Sequence, residues 1–136
     1  MAARQLAVLD LGYTEPPLTL NHRHNRFERA RRIAEIKTRT HWLAKAAKLP
    51  KGLTYVEVTL HYTPPDNRTR DDDNLVDTLK PVCDALKAGT RRHPGYGMVS
   101  DDDPQNMRKH MPLIDDPDPT AKAGRMWVEL SWEETE

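Results

Sequence analysis

Two runs of aspartate, Asp71-Asp72-Asp73 and Asp101-Asp102-Asp103, are the residues of this chain best suited to chemistry. Closely spaced carboxylates bind hard divalent cations such as Mg²⁺. The first run stands in Arg70-Asp71-Asp72-Asp73-Asn74-Leu75, between strand-like and helix-like sequence. On an extended backbone side chains alternate, so Asp71 and Asp73 would point to one side and could share a cation. The same residues also suit a helix start, where Asp73 or Asn74 caps and the acids favour the positive end of the dipole. The two readings are compatible, because a capping turn can also position ligands. The second run leads into Pro104, and an ordinary solvated turn accounts for it equally well. Neither run has the twelve-residue ligand spacing, central Gly and terminal Glu of an EF-hand loop.

Charge is distributed unevenly. The chain has 21 Lys and Arg against 21 Asp and Glu, a net charge of zero, which by itself argues against a nucleic-acid partner. From His22 to Lys51, however, ten Lys and Arg face only Glu28 and Glu35, so this segment is net +8 and the remainder net −8. A basic face beside an acidic pocket suits a metal-dependent nuclease, in which the bases hold phosphates and the carboxylates hold cations. The plain alternative is a charged helix and acidic loops with no joint purpose. The run His22-Arg23-His24-Asn25 suggests a His-Asn-His nuclease, but that site spreads its histidines over a hairpin and a helix. Phosphate contact or simple surface exposure fits this run better.

Other classes are disfavoured. Cys83 is the single cysteine, so no internal disulfide forms and a Cys/His zinc site lacks a second thiol. No apolar run approaches the roughly 20 residues needed to span a bilayer. Met1-Ala2-Ala3-Arg4-Gln5 lacks the apolar core of a signal peptide. The expectation is a soluble, cytoplasmic protein with no membrane partner, and a single domain over residues 1–136.

The elements that must position the aspartates follow from periodicity. Residues 5–11 read as a short strand, and Pro16-Pro17 then enforces extended backbone. Residues 27–48 read as a helix with Ile33, Ile36, Thr40, Leu43 and Ala47 on one stripe, closed by Pro50 and Gly52. Residues 54–62 alternate as a strand, with Val56, Val58, Leu60 and Tyr62 on one side. A second helix is predicted from about Asn74 to Ala88, with Leu75, Leu79, Val82 and Leu86 on one face and Gly89 as the stop. Pro81 falls inside it, so a bend or restart is expected there. A flexible loop spans 89–98, a weak strand 106–113, and a clear strand 125–132 carries Met126, Val128, Leu130 and Trp132 on one side. The order β-α-β-α-β-β predicts an α+β fold, a mixed sheet with two helices packed on it, whose last two strands form a hairpin. All the apolar stripes are read as core.

Taken together, these pieces resemble the RusA endonucleases, a family of Holliday-junction resolvases. The residues that carry the resemblance begin with the strand Val56-Glu-Val-Thr-Leu-His-Tyr62 and Pro65-Asp66. They continue through Arg68-Thr-Arg-Asp-Asp-Asp-Asn-Leu75, Cys83-Asp84-Ala85-Leu86, Ala88-Gly89 and Asp101-Asp102. The last strand, Gly124-Arg-Met-Trp-Val-Glu-Leu130, is similar too, and Pro16-Pro17 with Leu20-Asn21 and the following arginines resembles the family's N-terminal region. The likeness covers nearly the whole chain. It implies a Mg²⁺-dependent endonuclease, with Mn²⁺ able to substitute, that nicks four-way junctions as a homodimer. Asp71 and Asp73 match the family's first two metal-binding aspartates and Asp102 the third, with Asp101 in support. The family's lysine lies one helical turn after the second aspartate. Here that place holds Asp77, and the nearest lysine, Lys80, is three residues further on. The spacing to Asp84-Ala85-Leu86 is also three residues longer, and the loop from Thr90 to Tyr96 is longer.

The reaction so implied is phosphodiester hydrolysis by Asp71, Asp73, Asp102 and Lys80. Asn21, Arg23, Arg26, Arg29, Arg31, Arg32, Arg68 and Arg70 would contact branched DNA, through the 27–48 helix and the arginine-rich turn. Flaps, forks and non-catalytic DNA binding are the competing functions, and a phage or prophage origin is compatible with the resemblance.

Overall fold

A computed structural model describes residues 3–18 and 25–134. It contains β1 (Ala3–Asp10), α1 (Arg26–Ala46), β2 (Val56–Thr63), a 3₁₀ turn (Asp72–Leu75), α2 (Val76–Leu86), β3 (Met107–Lys109), β4 (Leu113–Ile114) and β5 (Arg125–Glu134). The predicted α+β class, the mixed sheet and the two helices are all present.

The sheet runs β1-β5-β2-β3, with β4 continuing along β2 beyond β3. β5 lies antiparallel to both β1 and β2, with Leu130 opposite Ala7 on one side and Val58 on the other. β3 and β4 lie parallel to β2. Parallel neighbours need a crossover, and α2 supplies it between β2 and β3. The expected hairpin of the last two strands does not form. β5 pairs with β1 and β2, and the weak strand at 106–113 divides into β3 and β4 on the opposite side of β2. The alternating pattern of Met126, Val128, Leu130 and Trp132 suits a central strand, which needs partners on both edges; chain neighbours offer only one. All four are buried, with Val56, Val58, Leu60 and Tyr62 beside them.

α1 begins where the Asn25 side chain accepts the backbone N–H of Glu28 at 2.8 Å. Its buried positions are Ile36, Thr40 and Ala44, a narrow stripe at a spacing of four. The expected Ala47 lies one position beyond Ala46 and is exposed. Thr40 is tolerated in the core because its hydroxyl donates to the Ile36 carbonyl at 2.8 Å. The helix stops where Lys48 adopts a positive φ of 53° ahead of Pro50. α2 buries Leu79, Val82 and Leu86 as expected, with Leu75 in the preceding 3₁₀ turn. It runs through Pro81 without a break; the change in winding falls earlier, at Leu75 and Val76, where the 3₁₀ turn becomes α. The Thr78 hydroxyl donates to the Leu18 carbonyl at 2.7 Å and ties α2 to the segment that leads into α1. Both helices and one face of the sheet share a single core.

Candidate functional site

The first aspartate run sits where β2 hands over to α2. Asp71 is extended, with φ −100° and ψ 130°, and caps the 3₁₀ turn by position without a side-chain hydrogen bond. Asp73 lies inside that turn, so the alternation that would aim Asp71 and Asp73 to one side does not apply to it. Asp71, Asp72 and Asp73 are exposed. Among the described residues their carboxylates have no hydrogen-bond or ion-pair partner. Asp71 and Asn74 line a cleft of about 350 Å³ together with Arg68, Arg70, Tyr62 and Glu15.

Arg70 builds the wall of that cleft. Its guanidinium donates to the carbonyls of Asp66 and Arg68, each at 3.0 Å, and to the Asp66 carboxylate at 3.0 Å. It is therefore pinned, with only 19% of its side chain exposed. Arg68 also reaches Asp66, at 3.2 Å, but stays 78% exposed. The Asp66 carboxyl lies below its ordinary value, first because it accepts the Arg68 backbone N–H, and then through both guanidiniums.

The second run is elsewhere. Asp101 is exposed and accepts the backbone N–H of Asp102 at 2.8 Å. Asp103 accepts the backbone and side-chain N–H of Asn106 at 3.1 and 2.7 Å, the behaviour of a turn. Asp102 is held by two lysines, Lys109 at 3.0 Å and Lys87 at 3.4 Å. Burial alone would raise its pKa, but the two ammoniums, Lys109 foremost, hold it well below the usual carboxylate range. Lys87 also reaches Asp84 at 3.5 Å, which places Asp102 beside the last turn of α2. From Asp73 to Asp84 the chain climbs about 16 Å, given a helical rise of about 1.5 Å per residue. The two aspartate runs thus stand at opposite ends of α2. Among the described residues no three His, Cys, Asp or Glu side chains are disposed to hold a metal ion. Asp71 and Asp73 suit a hard cation in donor chemistry and in being uncommitted; Asp102, as placed, does not.

Lys80 is 72% exposed on α2, with its ammonium 3.7 Å from Asp84. Asp77, at the place where the RusA family has its lysine, is paired with Arg29 of α1 at 3.0 Å. Arg29 thus brings a guanidinium to the first turn of α2. Arg32 is occupied by Glu28 at 3.2 Å and by the Pro17 carbonyl at 3.5 Å. Arg26 lies over the exposed Phe27 ring, 5.3 Å from its centre, and Arg31 is exposed. Asn21 and Arg23 fall outside the described residues, as do His22 and His24. Cys83 is fully buried, and burial pushes its thiol up to about 12, so it serves as packing and not as a nucleophile.

The sequence offered Asp84 as a partner of Lys80, as observed, but not Lys87, Lys109 or the pairing of Arg29 with Asp77 as parts of these clusters. Lys87 stands directly after Asp84-Ala85-Leu86, and that adjacency was the one local signal. Lys109 reaches Asp102 only through the parallel placement of β3 beside β2, which no local pattern reveals.

No family model matches the chain, and no curated protein is significantly similar to it. The likeness to the RusA endonucleases therefore rests on the motifs quoted above. No described helix is long and apolar enough to cross a membrane.

Proposed function

We propose that this protein is a structure-selective DNA endonuclease of the RusA type, which nicks branched DNA, four-way junctions included, by hydrolysing a phosphodiester. The observation that carries the reading is the uncommitted carboxylate of Asp71 lining an arginine-walled cleft, with Asp73, also uncommitted, in the turn that follows. Exposed carboxylates repel a phosphate unless a cation joins them, and Arg68, exposed on the cleft wall, can steer a DNA backbone. Asp71 and Asp73 would hold the Mg²⁺ or Mn²⁺ that the family resemblance implies. Such an ion activates water and stabilises charge on a leaving 3′-oxygen. Arg70 keeps the cleft in shape through the Asp66 carbonyl and carboxylate. Lys80 adds positive charge on the exposed side of α2, where the outgoing strand would pass. A two-fold homodimer would present two such clefts to the two symmetry-related strands of a junction.

A second reading, a branched-DNA-binding protein without nuclease activity, is favoured by one observation. Asp102, the third aspartate of the family pattern, is neutralised by Lys87 and Lys109 at the far end of α2. A nicking assay with Mg²⁺ on synthetic junction, flap, fork and duplex DNA separates the two. The nuclease reading expects Mg²⁺-dependent product from branched DNA. It also expects Asp73→Asn to abolish the product while junction binding stays equal or tightens slightly. Full cutting by Asp73→Asn would remove that carboxylate from the site. Binding with no product from any substrate would leave the second reading.

A further inference from the structure

A second cleft, of about 700 Å³, opens between α1 and the turn that follows α2. That size falls in the range of ligand clefts, roughly 300–1,000 Å³. Its walls carry Lys37, Lys45, Lys87 and Arg92 against one carboxylate, Asp84. Asp84 is already approached by Lys37 at 3.9 Å, Lys80 at 3.7 Å and Lys87 at 3.5 Å, so the cleft is strongly cationic. Among the described residues Lys45 and Arg92 have no ion-pair partner. Trp42 lies on the same wall and is 62% exposed, unlike the buried Trp132. A single exposed apolar side chain is ordinary on a protein surface, and what sets Trp42 apart is the cationic cleft around it. The Lys45 ammonium lies over the Trp42 ring, 4.8 Å from its centre, so cation and aromatic plane are already adjacent.

An aromatic plane flanked by cations is the chemistry that recognises unpaired nucleotides. The ring stacks a base and the cations hold its flanking phosphates, with little dependence on sequence. A double helix keeps its bases stacked on one another and cannot offer a face to Trp42. We propose that this cleft binds a single-stranded segment of DNA, with one unpaired base stacked on Trp42 and its phosphates held by Lys45 and Arg92. The inference rests on the nucleic-acid half of the proposed function and not on cleavage. It refines the substrate to branched DNA with an unpaired nucleotide near the branch point. Lys87 lines the cleft and also reaches Asp102 at 3.4 Å, so the cleft lies at the Asp102 end of α2.

The test is a fluorescence titration of the whole protein with three probes of matched charge. These are an oligothymidylate, the same oligomer with abasic sites in place of the bases, and a blunt duplex. The expected result is quenching of tryptophan emission by the oligothymidylate, and an affinity at least ~10-fold weaker for the abasic strand. Trp42→Ala should lose ~10-fold on the oligothymidylate and nothing on the abasic strand or the duplex, and Trp42→Phe should recover most of the loss. Arg92→Ala should weaken both single strands alike. Equal affinity of wild type for the oligothymidylate and the abasic strand would overturn the stacking assignment. So would Trp42→Ala binding oligothymidylate as wild type does. Selective loss in Trp42→Ala from a protein that cuts nothing would uphold this cleft while removing the nuclease reading. Mg²⁺-dependent nicking with no effect of Trp42→Ala would do the reverse.

Discussion

Asp102 and Glu57 show how this chain uses lysine, arginine and histidine to hold carboxylates in their charged form. Around Asp102 two ammoniums oppose the effect of burial. Around Glu57 the partners are Arg4 from β1 and His110 beyond β3, the latter at 2.8 Å, so one carboxylate links three parts of the sheet. The Glu57 pKa lies below its ordinary value, first through the Arg4 hydrogen bond and then through His110. A folded-state pKa below the unfolded value means that the unfolded chain binds the proton more readily. The stabilisation is thus complete above the ordinary value of 4.5 and is lost as pH falls through the lower folded value. Glu57→Gln should therefore cost about 1 kcal/mol at pH 7, the scale of a part-exposed ion pair. Its penalty should shrink as the pH drops below about 4. Urea melts of both proteins from pH 3 to pH 7 measure this. A penalty that grows on acidification would show that the pair does not act as the distances suggest.

At the scale of elements, the turn after α2 decides where Lys87 and Arg92 stand. A Cβ added at Gly95 would lie 1.9 Å from the Lys87 carbonyl oxygen, which is backbone and cannot swing away. Gly95→Ala should therefore cost about 2 kcal/mol or more and displace Lys87 from Asp102. Thermal unfolding, and the loss of the Lys87 contact by NMR, would record both effects; an unchanged melting temperature would mean that the turn yields easily. Sequence patterns revealed the strands built on Val56–Tyr62 and Met126–Trp132 and the buried face of α2, because period two and period 3.6 are local properties. The partners of β5 were not readable. A hairpin is the nearest pairing along the chain, but β5 satisfies both its edges with strands from residues 3–10 and 56–63. The aspartate runs were legible in the sequence as candidate cation ligands, through their spacing together with the family resemblance. Their separation was not, because it depends on α2 lying between them and on β3 entering the sheet beside the start of β2. The clefts went unseen for the same reason: Trp42, Lys87 and Arg92 come from different elements.

For the whole molecule, zero net charge conceals a division into a basic helix and acidic loops. DNA meets the local field within a Debye length, about 8 Å at physiological salt, and not the net charge. A footprint that takes cations from α1 and from the turn after α2 neutralises at least about four phosphates. The slope of log affinity against log salt should then be steeper than roughly −3 for duplex DNA. Filter binding or anisotropy between 50 and 200 mM salt measures it, and a slope near zero would remove α1 from the interface. The length of α2 has a further consequence, which belongs to thermodynamic cycles. Groups more than about 10 Å apart with no shared partner contribute independently, to within about 0.5 kcal/mol. Asp73 and Asp102 meet that condition, so the stability changes of Asp73→Asn and Asp102→Asn should add in the double variant. Their energies would then be free to drift apart: each end of the helix can be retuned, by mutation or by a bound cation, without the other end registering the change.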